Sequence, residues 1–448
     1  MRLSFAAGLA LATVLAACSS GTPLPEREAT ARLDPRLVTR GAQLSAVGNC
    51  HGCHTRQGGG AYAGGVPLTS PFGTIYSTNI TPDQETGIGT WSREAFARAM
   101  REGLRKDGAH LYPAFPYDRF TRTSDEDIDA LYAYFMSIPA VRYEPPANRL
   151  VFPFSLRSAI AVWKARHFNP LPGPPPRGRE SMSPSLGTGQ GEGSLLARGE
   201  YLVEGLGHCG SCHSPRTPLQ AEDRNRLYDG GEAEGWHAYA INEKNAAPIP
   251  WDVPALTHYL RHGWHPQHGI ARGTMGLVTH ELSAAAPEDI EAMAAYTVSL
   301  MKSPSAARVA RGRELVRDPK IDVPPGATDP GAKIYDTACH GCHRGTDDMP
   351  WDGMPLSWSI GLTGESPRNV INVILHGIPA AANGETTPAM PGYAGALDDA
   401  QVEALVTWMR ARLTDRPPWT NVREHIGKSR KMTAEMVMFP PGGTGFRP

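Results

Sequence analysis

Six of the seven cysteines stand in pairs, and each pair is closed by a histidine: Cys50-His51-Gly52-Cys53-His54, Cys209-Gly210-Ser211-Cys212-His213 and Cys339-His340-Gly341-Cys342-His343. At this composition roughly 0.004 such patterns arise by chance, so three are not accidental. Two thiols at this spacing can both form thioethers with one flat macrocycle while the next imidazole reaches its metal, which is the attachment chemistry of c-type haem. Cys50, Cys53, Cys209, Cys212, Cys339 and Cys342 are therefore the expected covalent anchors of three haem c groups. His54, His213 and His343 are the expected proximal iron ligands. Zinc also uses Cys-x-x-Cys, but the pairs start 130 or more residues apart and no second pair completes a tetrahedral site.

The opposite axial position decides whether an iron shuttles electrons or binds a small molecule. In the third repeat Met390 follows His343 by 47 residues, in Thr387-Pro388-Ala389-Met390-Pro391-Gly392-Tyr393, where prolines fix the loop that presents the sulfur. In the second, Met275 of Gly273-Thr274-Met275-Gly276 follows His213 by 62 residues. The first repeat departs from this. Its loop Tyr112-Pro113-Ala114-Phe115-Pro116-Tyr117 matches the third except that Phe115, which cannot bind iron, takes the place of the methionine. Met100, 46 residues after His54 on a segment where Phe96, Ala99, Met100 and Leu104 share a helical face, is the expected ligand. His110 and an open iron are the alternatives, and a methionine that merely fills core is the bland reading of all three. The histidines His258, His262, His265 and His268 are expected in a solvated loop rather than on a metal, because Gly263 and Pro266 interrupt their spacing.

Helices must position these groups. A short segment with a glycine near its start leads toward each motif: Arg40-Gly41-Ala42-Gln43-Leu44, Arg198-Gly199-Glu200-Tyr201-Leu202 and Pro330-Gly331-Ala332-Lys333-Ile334-Tyr335. An amphipathic helix closes each repeat. Ser124 with Asp127 caps a face of Ile128, Leu131, Tyr132 and Phe135; Pro287-Glu288-Asp289 precedes Ile290, Met293, Ala294 and Tyr296; Asp398-Asp399 precedes Val402, Leu405, Val406 and Met409, with Trp408 at the margin. Ser92 is the expected N-cap of the helix that carries Met100.

The 448 residues suffice for about three domains. A formal charge of −1 leaves no basic stripe for phosphates, so nucleic acid is not an expected partner. The first eighteen residues pair Arg2 with an apolar run from Phe5 to Ala17 and read as a signal peptide too short to span a bilayer. They end Leu15-Ala16-Ala17-Cys18, similar to the bacterial lipobox, which implies lipidation of Cys18 and a protein anchored on the periplasmic side of the membrane; an ordinary small-residue cleavage site that happens to contain a cysteine is the alternative. The expected organisation is leader 1–18, flexible tether 19–35, first domain 36–145, a connecting segment with the proline run Pro170 to Pro176 at 146–192, second domain 193–303, third domain 304–415 and a tail 416–448 without evident organisation. Around Trp163 the connecting segment reads as a helix that either marks a partner contact or packs on its own domain.

The order of helix, motif, loops and closing helix resembles the class I cytochrome c fold, so the fold class is mainly α, with three tandem domains of that kind and long loops. Over nearly the whole mature chain the sequence resembles the three-haem cytochrome c subunits of bacterial periplasmic, membrane-associated dehydrogenases. The most specific stretches are Gly64-Gly65-Val66-Pro67, Pro71-Phe72-Gly73-Thr74-Ile75-Tyr76-Ser77-Thr78-Asn79-Ile80-Thr81-Pro82-Asp83, Gly87-Ile88-Gly89 and His110-Leu111-Tyr112-Pro113-Ala114. Such subunits serve quinoprotein alcohol dehydrogenases, flavin-dependent gluconate-type dehydrogenases and molybdenum hydroxylases. Ala99-Met100-Arg101-Glu102-Gly103 together with Phe115 is most similar to the molybdenum hydroxylase branch.

The resemblance implies a relay that takes electrons from the catalytic subunit of a dehydrogenase, in that branch a molybdenum hydroxylase with an iron–sulfur subunit. It passes them through three haems to quinone or a terminal oxidase. No dinucleotide fingerprint or propeller repeat is visible, so substrate oxidation is expected on another polypeptide. A free-standing haem redox enzyme or a gas sensor with an open first iron is the competing reading.

Overall fold

The computed structural model describes residue 24 and residues 33–168, 192–319, 327–343, 353–378 and 389–432. Cys18 and the leader, most of the tether, the proline run and Thr387-Pro388 lie outside the described residues. The chain forms two compact units. One takes the described residues up to Ser211 with Pro218–Ala221 and Ala284–Met293; the other takes Cys212–Thr217, Glu222–Ser283 and the described residues from Ala294 onward. The unit boundary passes through the second Cys-x-x-Cys-His motif, between Ser211 and Cys212.

In the first unit α1 (Pro35–Val47) leads into the motif helix α2 (Cys50–His54), followed by strands β1 (Pro67–Ser70) and β2 (Gly73–Tyr76), helices α3 (Arg93–Glu102), α4 (Tyr117–Phe120) and α5 (Asp125–Ser137), strand β3 (Arg149–Leu150) and helices α6 (Arg157–His167) and α7 (Glu192–Glu204). The three strands form one antiparallel sheet in the order β1-β2-β3. Helices α1 and α5 cross through Leu44 and Val47 on one side and Ile128, Leu131 and Phe135 on the other, all buried. The crossing explains the glycine that leads the repeat. A Cβ on Gly41 would overlap the Ala130 carbonyl oxygen and lie 2.6 Å from Tyr134 Cβ, so only glycine lets the backbones approach. The caps form as expected, with the Ser92 hydroxyl accepting from Ala95 N and that of Ser124 from Asp127 N.

Four charges far apart in sequence meet inside this unit. Arg198 grips Asp289 through Nε and Nη2 at 2.8 and 3.1 Å, and Arg40 Nη1 donates to the same carboxylate at 2.8 Å. Asp127 lies 3.9 Å from Arg198 and 3.8 Å from Arg40, and accepts a 2.8 Å bond from the Tyr201 hydroxyl. Burial alone would raise the Asp289 carboxyl, but the Arg198 hydrogen bonds and the charges of Arg198 and Arg40 hold it below its ordinary value. Every ion in the cluster is paired, which is what makes its burial tolerable.

The second unit holds α8 (Gly210–His213) from Cys212 onward, the hairpin β4 (Gly231–Ala233) and β5 (Trp236–Ala238), α9 (Val253–His262), the hairpin β6 (Trp264–His265) and β7 (Gly269–Ile270), α10 (Thr274–Leu282), α11 (Pro287–Leu300) from Ala294, α12 (Ala306–Arg317), α13 (Pro330–Ala338), α14 (Ile360–Thr363), α15 (Arg368–His376), α16 (Asp399–Leu413) and α17 (Val422–Ser429). Asp398 and Gln401 close a full capping box at the start of α16. The third-repeat core gathers Tyr335, Leu362, Ile371, Ile374, Leu375, Val402, Leu405, Val406 and Met409. Here too a Cβ on the leading glycine, Gly331, would overlap a carbonyl, that of Ala404, and lie 2.6 Å from Trp408 Cβ. Gly331→Val is expected to destabilise the protein by about 1–3 kcal/mol or more through overpacking, read as a lower midpoint in denaturant with unchanged slope.

One expectation needs correction. The tail is organised as far as Met432: α17 buries Val422, His425, Ile426 and Ser429, and Val422 and Ile426 join the third-repeat core. With only two apolar side chains, its helical stripe is too thin to stand out in sequence. Ser305, just after the expected boundary at residue 303, caps α12.

Candidate haem sites

Each motif histidine is held in the same way, by its ring Nδ1 against a backbone carbonyl. His54 pairs with Thr78 O at 2.6 Å, His213 with Tyr239 O at 2.6 Å and His343 with Met354 O at 2.9 Å. A carbonyl only accepts, so Nδ1 carries the proton and Nε2 keeps its lone pair for a metal. Burial pulls the His54 and His213 imidazoles below the ordinary histidine value, against the opposing pull of those carbonyls, and so keeps the rings neutral. The backbone repeats as well. Gly64 N donates to His54 O at 2.6 Å, Gly230 N to His213 O at 2.9 Å and Gly353 N to Cys342 O at 2.6 Å. Burial pushes the Cys339 thiol up to about 11, with Cys342 adding to the shift.

A second pattern recurs after each motif. Helices α3, α9 and α15 each end at a glycine with positive φ, Gly103, Gly263 and Gly377, and a bridge follows: Leu104 with His110, Trp264 with Ile270 and Ile378 with Met390. Met390 is fixed by that bridge, exchanging N–H···O bonds of 2.8 Å with Ile378 in both directions. Tyr393, three residues on, donates to Ala338 O at 2.9 Å, which ties the Met390 loop to the helix that precedes Cys339. Met275 opens α10 next to Gly273, whose Cα lies so close to the Trp236 indole that a Cβ there would overlap it. Because β5 also leads to the Tyr239 carbonyl, one hairpin braces the His213 ring and the Met275 loop.

In the first repeat Phe115 lies five residues after the bridge residue His110, as Met275 does after Ile270, and it rests edge-on against Phe120. Met100 is buried on α3, three residues before Gly103. The same register holds Leu260 on α9 and Ile374 on α15, both buried. On the helix the first repeat thus has Met100 where the others have Leu260 and Ile374; in the loop the first has Phe115 and the second Met275 at the same register, whereas Met390 of the third is itself the bridge residue. His110 Nδ1 lies 3.4 Å from Lys164 Nζ, and the His110 carbonyl accepts from Arg157 at 2.8 Å.

The histidine run is not a solvated loop. His258 and His262 end α9 with ring centroids 4.5 Å apart, His265 lies on β6, and His268 is buried and stacked on Trp251 at 3.5 Å. Burial, with His265 adding, pulls His268 down to about 3. The glycine and proline that break the helix turn the chain into a hairpin that folds the rings back onto one another. Among the described residues no group of three or more His, Cys, Asp or Glu is arranged to hold a metal ion.

The donor set fits haem c: paired thiols for thioethers, an imidazole with its tautomer fixed, and a thioether sulfur available in each repeat. The three carbonyl acceptors were not foreseen from sequence, because a backbone oxygen carries no residue signature.

The sequence matches the family described as "Cytochrome c" over residues 38–139, and that described as "Cytochrome C oxidase, cbb3-type, subunit III" over residues 326–409. A nicotinate dehydrogenase subunit of Pseudomonas putida is 40% identical over 421 residues, covering 91% of this chain and 34% of that protein. This chain therefore spans about a third of that relative's length. The gluconate 2-dehydrogenase cytochrome c subunit of Pantoea cypripedii is 33% identical over 410 residues, 88% of this chain and 90% of that one. The cytochrome c subunit of the quinone alcohol dehydrogenase of Gluconobacter oxydans is 32% identical over 410 residues, 89% and 83% respectively.

Proposed function

Since the chain belongs to the family of cytochrome c subunits of dehydrogenases, we propose that it carries three haem c groups and relays electrons from a partner dehydrogenase to quinone or a terminal oxidase. The observation that carries this reading is the threefold recurrence of a Cys-x-x-Cys-His histidine whose Nδ1 is pinned to a carbonyl. Bound at these sites, haem c supplies a one-electron couple.

The protein's own residues set the rest. Cys50 and Cys53, Cys209 and Cys212, and Cys339 and Cys342 hold the three groups in domains 36–145, 193–303 and 304–415. His54, His213 and His343 would ligate the irons through Nε2, and Met100, Met275 and Met390 would each supply a thioether sulfur. Such a ligand would close the iron to small molecules and favour the reduced state, as a relay requires. The burial of Met100 on α3, ahead of a loop in which Phe115 stands where the third repeat's loop sequence has a methionine, supports Met100 in the first repeat.

The resemblance of Ala99-Met100-Arg101-Glu102-Gly103 with Phe115 supports a molybdenum hydroxylase with an iron–sulfur subunit as partner, and the greater identity to the nicotinate dehydrogenase subunit than to the gluconate and alcohol dehydrogenase subunits favours a partner other than the latter two. Among the described residues no helix is long and apolar enough to cross a membrane. The lipobox-like Leu15-Ala16-Ala17-Cys18 supports anchoring by lipid on the periplasmic face.

Purification from the native host is expected to bring down a dehydrogenase catalytic subunit, and that enzyme's substrate is expected to reduce the haems of the intact complex. A chain isolated alone whose haems react only with peroxide or a gas would instead support the enzyme or sensor reading.

A further inference from the structure

Among the described residues, four of the most exposed large apolar side chains fall within one stretch: Phe152 at 79%, Val162 at 58%, Val151 at 57% and Leu156 at 49%. Leu219, also exposed, adjoins them through its carbonyl, which accepts a 3.0 Å bond from Trp163 Nε1. The backbone beneath is well held. Val151 N donates to Phe72 O at 3.0 Å, the Phe72 and Phe154 rings stack at 4.0 Å, and Ile160 is buried. Trp163 thus packs on its own unit, while the turn between β3 and α6 and the outer face of α6 present an apolar ridge with Phe152 at its tip.

Within this stretch of sequence the charges have one sign. From Pro145 to Arg179 the sequence contains no aspartate or glutamate, and the exposed Arg149, Arg157 and Arg166 flank the ridge. A protruding aromatic and aliphatic tip rimmed by cations is complementary to a surface that is apolar beneath an anionic skin. The geometry points to this ridge as a membrane-surface contact, in which Val151, Phe152, Leu156 and Val162 enter the interface of an anionic bilayer and the arginines meet lipid phosphates. It rests on the reading of the chain as a membrane-associated subunit, but it is separate from lipidation at Cys18.

The test uses the haem-loaded mature chain carrying Cys18→Ser, exported behind a leader that is cleaved without lipidation. Co-sedimentation is measured with vesicles of phosphatidylcholine alone and with vesicles containing about a quarter phosphatidylglycerol. The chain is expected to bind the anionic vesicles. Phe152→Ser with Leu156→Ser is expected to weaken binding by about tenfold or more. Arg149→Gln and Arg166→Gln are each expected to cost about fivefold, the equivalent of ~1 kcal/mol per cation near the surface. These side chains are exposed, so unchanged haem spectra are expected to show that the variants fold. Failure of the parent chain to bind anionic vesicles, or equal binding by the serine variant, would overturn the proposal. Loss of the dehydrogenase subunit from the serine variant with vesicle binding intact would assign the ridge to a protein partner instead. Because the chain tested lacks the anchor, an error about Cys18 leaves the outcome unaffected.

Discussion

Met100→Ala is expected to yield a chain whose first haem, once reduced, takes up carbon monoxide, while the unmodified protein does not. Phe115→Ala is expected to leave the first iron closed and to cost only packing against Phe120. The expectation follows from the register of the three repeats. Three residues before the glycine that ends α3, α9 and α15, the chain places Met100, Leu260 and Ile374. The loops that follow place Phe115, Met275 and Met390. Sulfur enters the helix only where the loop has lost it. Truncating Met100 removes that repeat's candidate thioether, and a five-coordinate iron binds carbon monoxide readily, whereas a His/Met iron does not. If Phe115→Ala opens the site and Met100→Ala does not, the assignment is wrong, and a bis-histidine spectrum would return it to His110.

Met275→Ala and Met390→Ala are each expected to remove one component from a redox titration and replace it at lower potential. Axial ligands set haem potentials over roughly 0.8 V, and loss of methionine sulfur lowers the potential because thioether ligation favours the reduced iron. The Met390 variant is expected to keep its loop, since the bridge to Ile378 and the Tyr393 bond to Ala338 use atoms that the substitution leaves in place. Met275 opens α10, and alanine is a good helix former, so that variant is likewise expected to fold. Two titrations indistinguishable from the unmodified protein would remove both methionines from the ligand set.

Chemistry borne by side chains that stand close together in one motif was legible in the sequence, and chemistry borne by the backbone was not. Cys-x-x-Cys-His needs its residues in one short helix, so the three motifs announce themselves, and the glycines ahead of them announce the helix crossings at Ala130 and Ala404. The carbonyls of Thr78, Tyr239 and Met354 stand 24, 26 and 11 residues after their histidines, so neither identity nor spacing marks them. The cluster of Arg40, Asp127, Arg198 and Asp289 was equally hidden, because only the folded chain brings these distant positions together. The histidines from His258 to His268 mislead for a related reason: in sequence the breakers Gly263 and Pro266 look like the end of order, whereas in the fold they form a hairpin that stacks His268 on Trp251.

The central claim is three covalent haems on one chain, each anchored by its own pair of cysteines. Intact-mass measurement of the mature, denatured protein, paired with a haem assay on the same sample, tests it directly. Three haem equivalents are expected, falling to two when Cys339 and Cys342 are both replaced by alanine and the chain still folds. Two or fewer in the fully matured protein, or zinc in place of haem at any pair, would contradict it.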